Sequence, residues 1–171
     1  NVTIMEEMFW DATNFNQSLN SWNVSNVENM LWMFEDATSF NQPLNNWTVS
    51  SVGSMVGLFS GATSFDQNLS NWNVSNVINM TWMFEGVKLS TPNYDSLLIG
   101  WESLPLLQNK VPFDAGGSQY CLGEASKLIL NDTNGLNWAI TDGGRNCTGI
   151  DLAFPLINFV EPPTPQDDAT T

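Results

Sequence analysis

Met5, Met30, Met55 and Met80 stand 25 residues apart, and Phe9, Phe34, Phe59 and Phe84 keep the same interval. Further columns run through Phe15, Phe40 and Phe65, through Trp22, Trp47 and Trp72, and through Val27, Val52 and Val77. A unit this short cannot bury its apolar side alone, so identical units must stack and each must form the core of the next. The chain is therefore expected to be quasi-one-dimensional, with a long repetitive surface rather than one deep pocket.

Within one unit, Leu19 to Val24 alternates in a way that places Trp22 and Val24 on one face of a short strand. Ser25 and Glu28 have the spacing of a capping box, and Val27, Met30, Phe34 and Ala37 then fall at helical spacing. Trp22, Trp47 and Trp72 should stack inside. The expected fold is an α/β repeat: a leucine-rich-repeat-like right-handed solenoid with one short parallel strand and one short helix per 25 residues. The column Asn16, Asn41, Asp66, followed by Gln17, Gln42, Gln67, reads either as a ladder that satisfies buried backbone groups or as a ligand-binding row.

The period stops after Gly86. Helices are expected at residues 93–104 and 123–130, and strands at 111–114 and 138–141. Together they make a mixed α/β cap over the last coil. Cys121 and Cys147, both outside the repeats, read as one disulfide in an exported chain; two buried free thiols are the alternative. Three parts follow: a solenoid at 1–87 (three full repeats plus partial ends), a C-terminal cap at 88–147, and a linker or further module at 148–171. Both ends read as cut from a longer polypeptide.

Composition narrows the function. The formal charge is −14 with only four Lys and Arg, which removes the basic footprint that nucleic acid or an anionic membrane requires. There is no His, so the commonest general base and metal ligand are missing. No phosphate-cradling glycine loop, nucleophile elbow or zinc-spaced cysteine pair occurs. Glu35 and Glu85, or Asp11 and Asp36, could pair as in glycoside hydrolysis, but they read as repeat positions on solvated faces. The expectation is a non-enzyme with no cofactor, no metal site and no membrane-inserted segment. Asn-X-Ser/Thr sequons at Asn1, Asn16, Asn23, Asn46, Asn68, Asn73, Asn79, Asn131 and Asn146 fit a glycosylated extracellular protein.

The pattern Met-x-x-Met-Phe-x-x-Ala-x-x-Phe-Asn-Gln-x-Leu-x-x-Trp-x-Val-Ser-x-Val-x-x-Met holds from Met5 to Met30 and again from Met30 to Met55. It resembles the 25-residue repeats of BspA-like leucine-rich-repeat surface proteins over residues 1–87. The segment from Tyr94 to Cys147 is similar to the cap that follows such repeats. Pro155 to Pro165 is similar to the first strand of an immunoglobulin-like module. The family usually carries Asp after the strand Trp, where this chain has Asn23, Thr48 and Asn73. The resemblance implies a cell-surface module for adhesion and protein–protein contact.

Two other roles compete: a structural subunit or spacer of a surface layer or filament, and a glycan-binding module. Partners would be a protein or glycan on another surface, or copies of the chain itself. The candidate contact residues are Trp32 and Trp82, placed opposite the apolar stripe with Gly57 between them, and the outer strand positions Asn23, Thr48 and Asn73. Each Trp could equally lie flat on a neighbouring loop or against the cap.

Overall fold

The computed structural model describes residues 2–149. Its repeats are joined coil to coil by backbone hydrogen bonds that keep the sequence period. Trp32 donates its N–H to the Val56 carbonyl (3.0 Å), Phe34 to Leu58 (3.0 Å) and Asp36 to Ser60 (2.8 Å). The residues between them turn back onto their own coil: Met33 donates to Met30 (3.3 Å), Glu35 to Trp32 (3.1 Å) and Ala37 to Phe34 (3.1 Å). The same alternation links the coil of Glu7 to that of Leu31, and the coil of Gly57 to that of Thr81. Parallel bridges Ile4–Asn29, Asn29–Ser54 and Ser54–Asn79 open the ladder in each coil.

This differs from the expected strand and helix. Among the described residues the two α-helices lie only at Thr91–Glu102 (α1) and Glu124–Leu130 (α2), both beyond the repeats. The ladder runs through the stretch expected to be helical, whereas Leu19–Val24 forms a turn. The reason is spacing. Phe9, Phe34, Phe59 and Phe84 stack face to face with centroids 5.2–5.5 Å apart. Phe40–Phe65 and Trp47–Trp72, elsewhere in the coil, stack at 6.0 and 6.3 Å. The pitch is thus nearly uniform around the coil. A helix with side chains is about 10 Å across and does not fit in a layer roughly half that thick.

Backbone conformation reflects the same constraint. Two positions per coil, four residues apart, are left-handed: Glu7 and Asp11, Trp32 and Asp36, Gly57 and Gly61, Trp82 and Gly86. A left-handed residue every fourth position excludes i→i−4 helical bonding, and it costs about 1–2 kcal/mol where the residue is not glycine. Stacked aromatic area and a complete backbone ladder offset that cost.

The core is continuous from Met5 to Trp138. Trp47 and Trp72 are buried, and their indole N–H groups reach back to the carbonyls of Leu19 (2.9 Å) and Leu44 (3.1 Å). Trp22 does not share this environment. It is 38% exposed and tilts against Phe9, with ring centroids 5.9 Å apart. The Asn column is a backbone ladder: Asn41 donates its N–H to Asn16 Oδ1 (2.9 Å), Asp66 to Asn41 Oδ1 (3.0 Å) and Ser90 to Asp66 Oδ1 (2.8 Å).

Beyond Gly86 the ladder continues with different material. Pro112–Asp114 (β1) pairs in parallel with Ala139–Thr141 (β2), and Phe113 bridges back to Met80. Met80 donates to the Pro112 carbonyl (2.9 Å), so β1 lies directly on the last repeat. Trp101 on α1 donates to the Leu69 carbonyl (3.1 Å), extending the indole series of the repeats. Buried Asp95 accepts the N–H groups of Cys121, Leu122 and Gly123, which ties the turn leading into α2 to α1. The four elements lie close to where the sequence places them. Cys121 and Cys147 are bonded, with Cα atoms 5.0 Å apart. Residues 150–171, with most of the expected linker or immunoglobulin-like strand, and Asn1 lie outside the described residues.

Candidate functional site

Trp32 and Trp82 occupy the same column, two coils apart, on the outer side of the ladder. Their rings stack on each other with centroids 5.7 Å apart and planes 26° from parallel. The residue between them makes this possible. A Cβ at Gly57 would lie 1.7 Å from Trp32 Cε3, so the indole rests in the space that only glycine leaves. Trp82 remains 47% exposed, and Trp32 is half-buried. The two indoles therefore form a pair, with Trp32 packed on the Gly57 backbone of the neighbouring coil and Trp82 beside β1 and β2.

The pair adjoins the outer face of β1 and β2. Thr81, Trp82, Pro112, Asp114, Ala139 and Thr141 line a depression of about 240 Å³. Phe113 points into the core between Pro112 and Asp114, so alternation along β1 turns the latter two outward. Pro112 and Ala139, with short side chains, line the depression together with Trp82. Asp114 accepts the Gly116 N–H through Oδ1 (2.9 Å), and its Oδ2 has no hydrogen bond among the described residues. The sequence pattern did not single out Asp114 or Thr141. Their only signal is period-two alternation in strands of three residues.

The electrostatics are one-sided. Residues 1–87 contain no Lys or Arg at all. Two of the four cations in the chain are engaged in the C-terminal part: Lys127 with Asp142 at 2.7 Å and Arg145 with Glu124 at 2.9 Å. Near the Trp pair, the Glu35 carboxyl is raised above its usual range, first by partial burial and then by the charges of Asp36, Glu7 and Glu85. In the C-terminal part the Tyr94 hydroxyl donates to Asp142 (2.8 Å). Burial, then the Asp142 charge, pushes its pKa well up, so it stays a neutral donor.

The other expected contact residues are placed less favourably. Asn23 and Asn73 are exposed, but each Oδ1 accepts a backbone N–H two residues on, from Ser25 and Ser75 (both 3.1 Å). Their side chains thus hold local turns. Thr48 is exposed on the same column. Among the sequons, Asn16, Asn46 and Asn68 are exposed, whereas Asn79, Asn131 and Asn146 are half-buried. A second depression, of about 290 Å³, is lined by Pro43, Asn45, Gln67, Asn68 and Asn71 beside the Asn ladder. Among the described residues no group of three or more His, Cys, Asp or Glu is placed to hold a metal ion, and no helix is long and apolar enough to cross a membrane.

A family model described as "Mycoplasma protein of unknown function, DUF285" matches residues 1–96, more than half of the 171 residues. The chain belongs to the DUF285 family. The match takes in every repeat and the start of α1, where Ser90 and Asn93 bond to Asp66, and stops before β1. No curated protein and no solved structure matches the chain.

Proposed function

We propose that this DUF285 chain is an extracellular, cell-surface module whose stacked coils form a leucine-rich-repeat-like solenoid of the BspA type. It works by contact, in adhesion or protein–protein binding, and not by catalysis. One observation carries the reading: two indoles 50 residues apart stack on the outside of the ladder over a glycine that leaves them room. Core indoles such as Trp72 are fully buried, so an aromatic pair kept at the surface calls for a separate account. Exposed Trp in a supported cluster is a common anchor of binding surfaces. The disulfide is consistent with an oxidising location.

The experiment replaces Trp32 and Trp82 by Ala, with Trp10→Ala as an exposed control outside the pair. Folding is followed by circular dichroism, attachment on a panel of immobilised extracellular proteins and glycans, and self-assembly by light scattering. The expected result is about tenfold weaker attachment for each pair variant, with folding and assembly kept. Gly57→Ala should reproduce the loss by displacing Trp32. Lost assembly with attachment intact would instead assign the chain to a surface layer or filament. Unchanged attachment and assembly in folded variants would remove the pair from function.

A further inference from the structure

We propose that the depression beside Trp82 is a receptor for an arginine side chain of a basic partner protein. The inference rests on the contact reading above and names the chemistry of the contact. Three features converge there. Trp82 lines the depression while it also stacks on Trp32, which fixes the ring as a wall. Asp114 lines the same depression and has Oδ2 open for a partner. Pro112 and Ala139, both small, leave the intervening space.

A guanidinium is planar, stacks on an indole face and pairs with a carboxylate through fixed donors, so a ring wall and a carboxylate in one depression match it. Thr81 and Thr141 add hydroxyl oxygens at the rim that accept its remaining N–H groups. At about 240 Å³ the space is below the range typical of pockets for drug-sized ligands, and suits one side chain presented by a larger partner.

Charge complementarity selects the partner. The formal charge is −14, and no Lys or Arg stands in the first 87 residues to satisfy the carboxylates around the pair. Glu7, Asp36 and Glu85 stand close enough to Glu35 that their charges add to burial in raising its carboxyl, so like charges gather on this side. Such a field accelerates encounter with a basic protein and disfavours an acidic one.

The test uses the full chain and a fluorescent nona-arginine peptide at fixed ionic strength, read by anisotropy, with the Trp82 indole N–H followed by NMR. Asp114→Asn keeps the Gly116 hydrogen bond and removes the charge. It should weaken binding about tenfold, as should Trp82→Ala. Glu102→Gln removes one charge at the end of α1, away from the depression, and should change binding less than twofold. Nona-lysine should bind more weakly, because ammonium lacks the planar fork. Equal weakening by Asp114→Asn and Glu102→Gln would reduce the binding to bulk charge and overturn the site. A Trp82 shift with neutral oligosaccharide and none with nona-arginine would also overturn it, in favour of a glycan. Loss of attachment in Trp82→Ala without any effect of Asp114→Asn removes the arginine site and leaves the contact reading standing. Loss of neither removes both.

Discussion

In the repeats each coil rests on a near copy of itself; after Lys88 the same ladder is carried by residues that have no copy. From Phe9 to Phe84 the rings lie 5–11° from parallel, but Phe84 meets Phe113 at 71°, edge to face. Among the described residues the repeats use no helix, no ion pair and no disulfide, whereas residues 88–149 use two helices, two ion pairs and one disulfide. The contrast follows from periodicity. Identical coils at one pitch satisfy one another through repeated stacks and Asn bonds. The segment from Lys88 to Gly149 has no such copy to stack on the last repeat and supplies local closures instead. Freed from the thin layer, it can also afford the diameter of a helix.

That comparison can be broken most forcefully at Phe59. Its ring stacks on Phe34 and Phe84 and touches Phe65 and Trp72, so Phe59→Ala should cost about 3–5 kcal/mol in denaturant unfolding. A loss under about 1 kcal/mol would mean the aromatic columns are not what holds the repeats together.

The disulfide tests the other side. It closes a 26-residue loop around α2 and β2, and removing it by Cys121→Ser with Cys147→Ser should cost roughly 3–4 kcal/mol. Hydrogen exchange should rise in residues 120–149 first, with protection of the Phe34–Phe84 coils kept. Simultaneous loss in both regions would show that repeats and C-terminal segment form one cooperative unit.

The smallest effect is expected at Glu35, where like charges accumulate with no cation in the repeats. A carboxylate whose folded pKa is raised penalises the folded state above that pKa, and the penalty fades as pH falls toward the unfolded value of 4.5. Glu35→Gln should therefore stabilise slightly at neutral pH, and the gain over wild type should shrink to nothing below pH 4.5. Thermal melts at pH 7 and pH 4 measure it. A gain that persists in acid would point to packing rather than charge.

Much of this was legible in the chain. The 25-residue columns define the stacking register, the apolar core and the Asn ladder. Spacing alone places α1, α2, β1 and β2 nearly where they occur, because each is a local pattern. The helical reading of Val27 to Ala37 was not safe, since apolar spacing of three and four fits successive turns as well as a helix. Gly57, Gly61 and Gly86, at the left-handed positions, were the signal against it.

What the sequence determined by itself is whatever the period repeats: which side chains meet their own copies, and therefore that the chain must stack. Only the tertiary structure decided the conformation between those contacts. The coil pitch is a property of neighbouring coils and not of any one segment, and it excluded the helix. It likewise brought Trp32 onto Trp82 across Gly57, and set Trp82 beside Asp114, 32 residues away in sequence, because β1 continues the ladder of the last repeat.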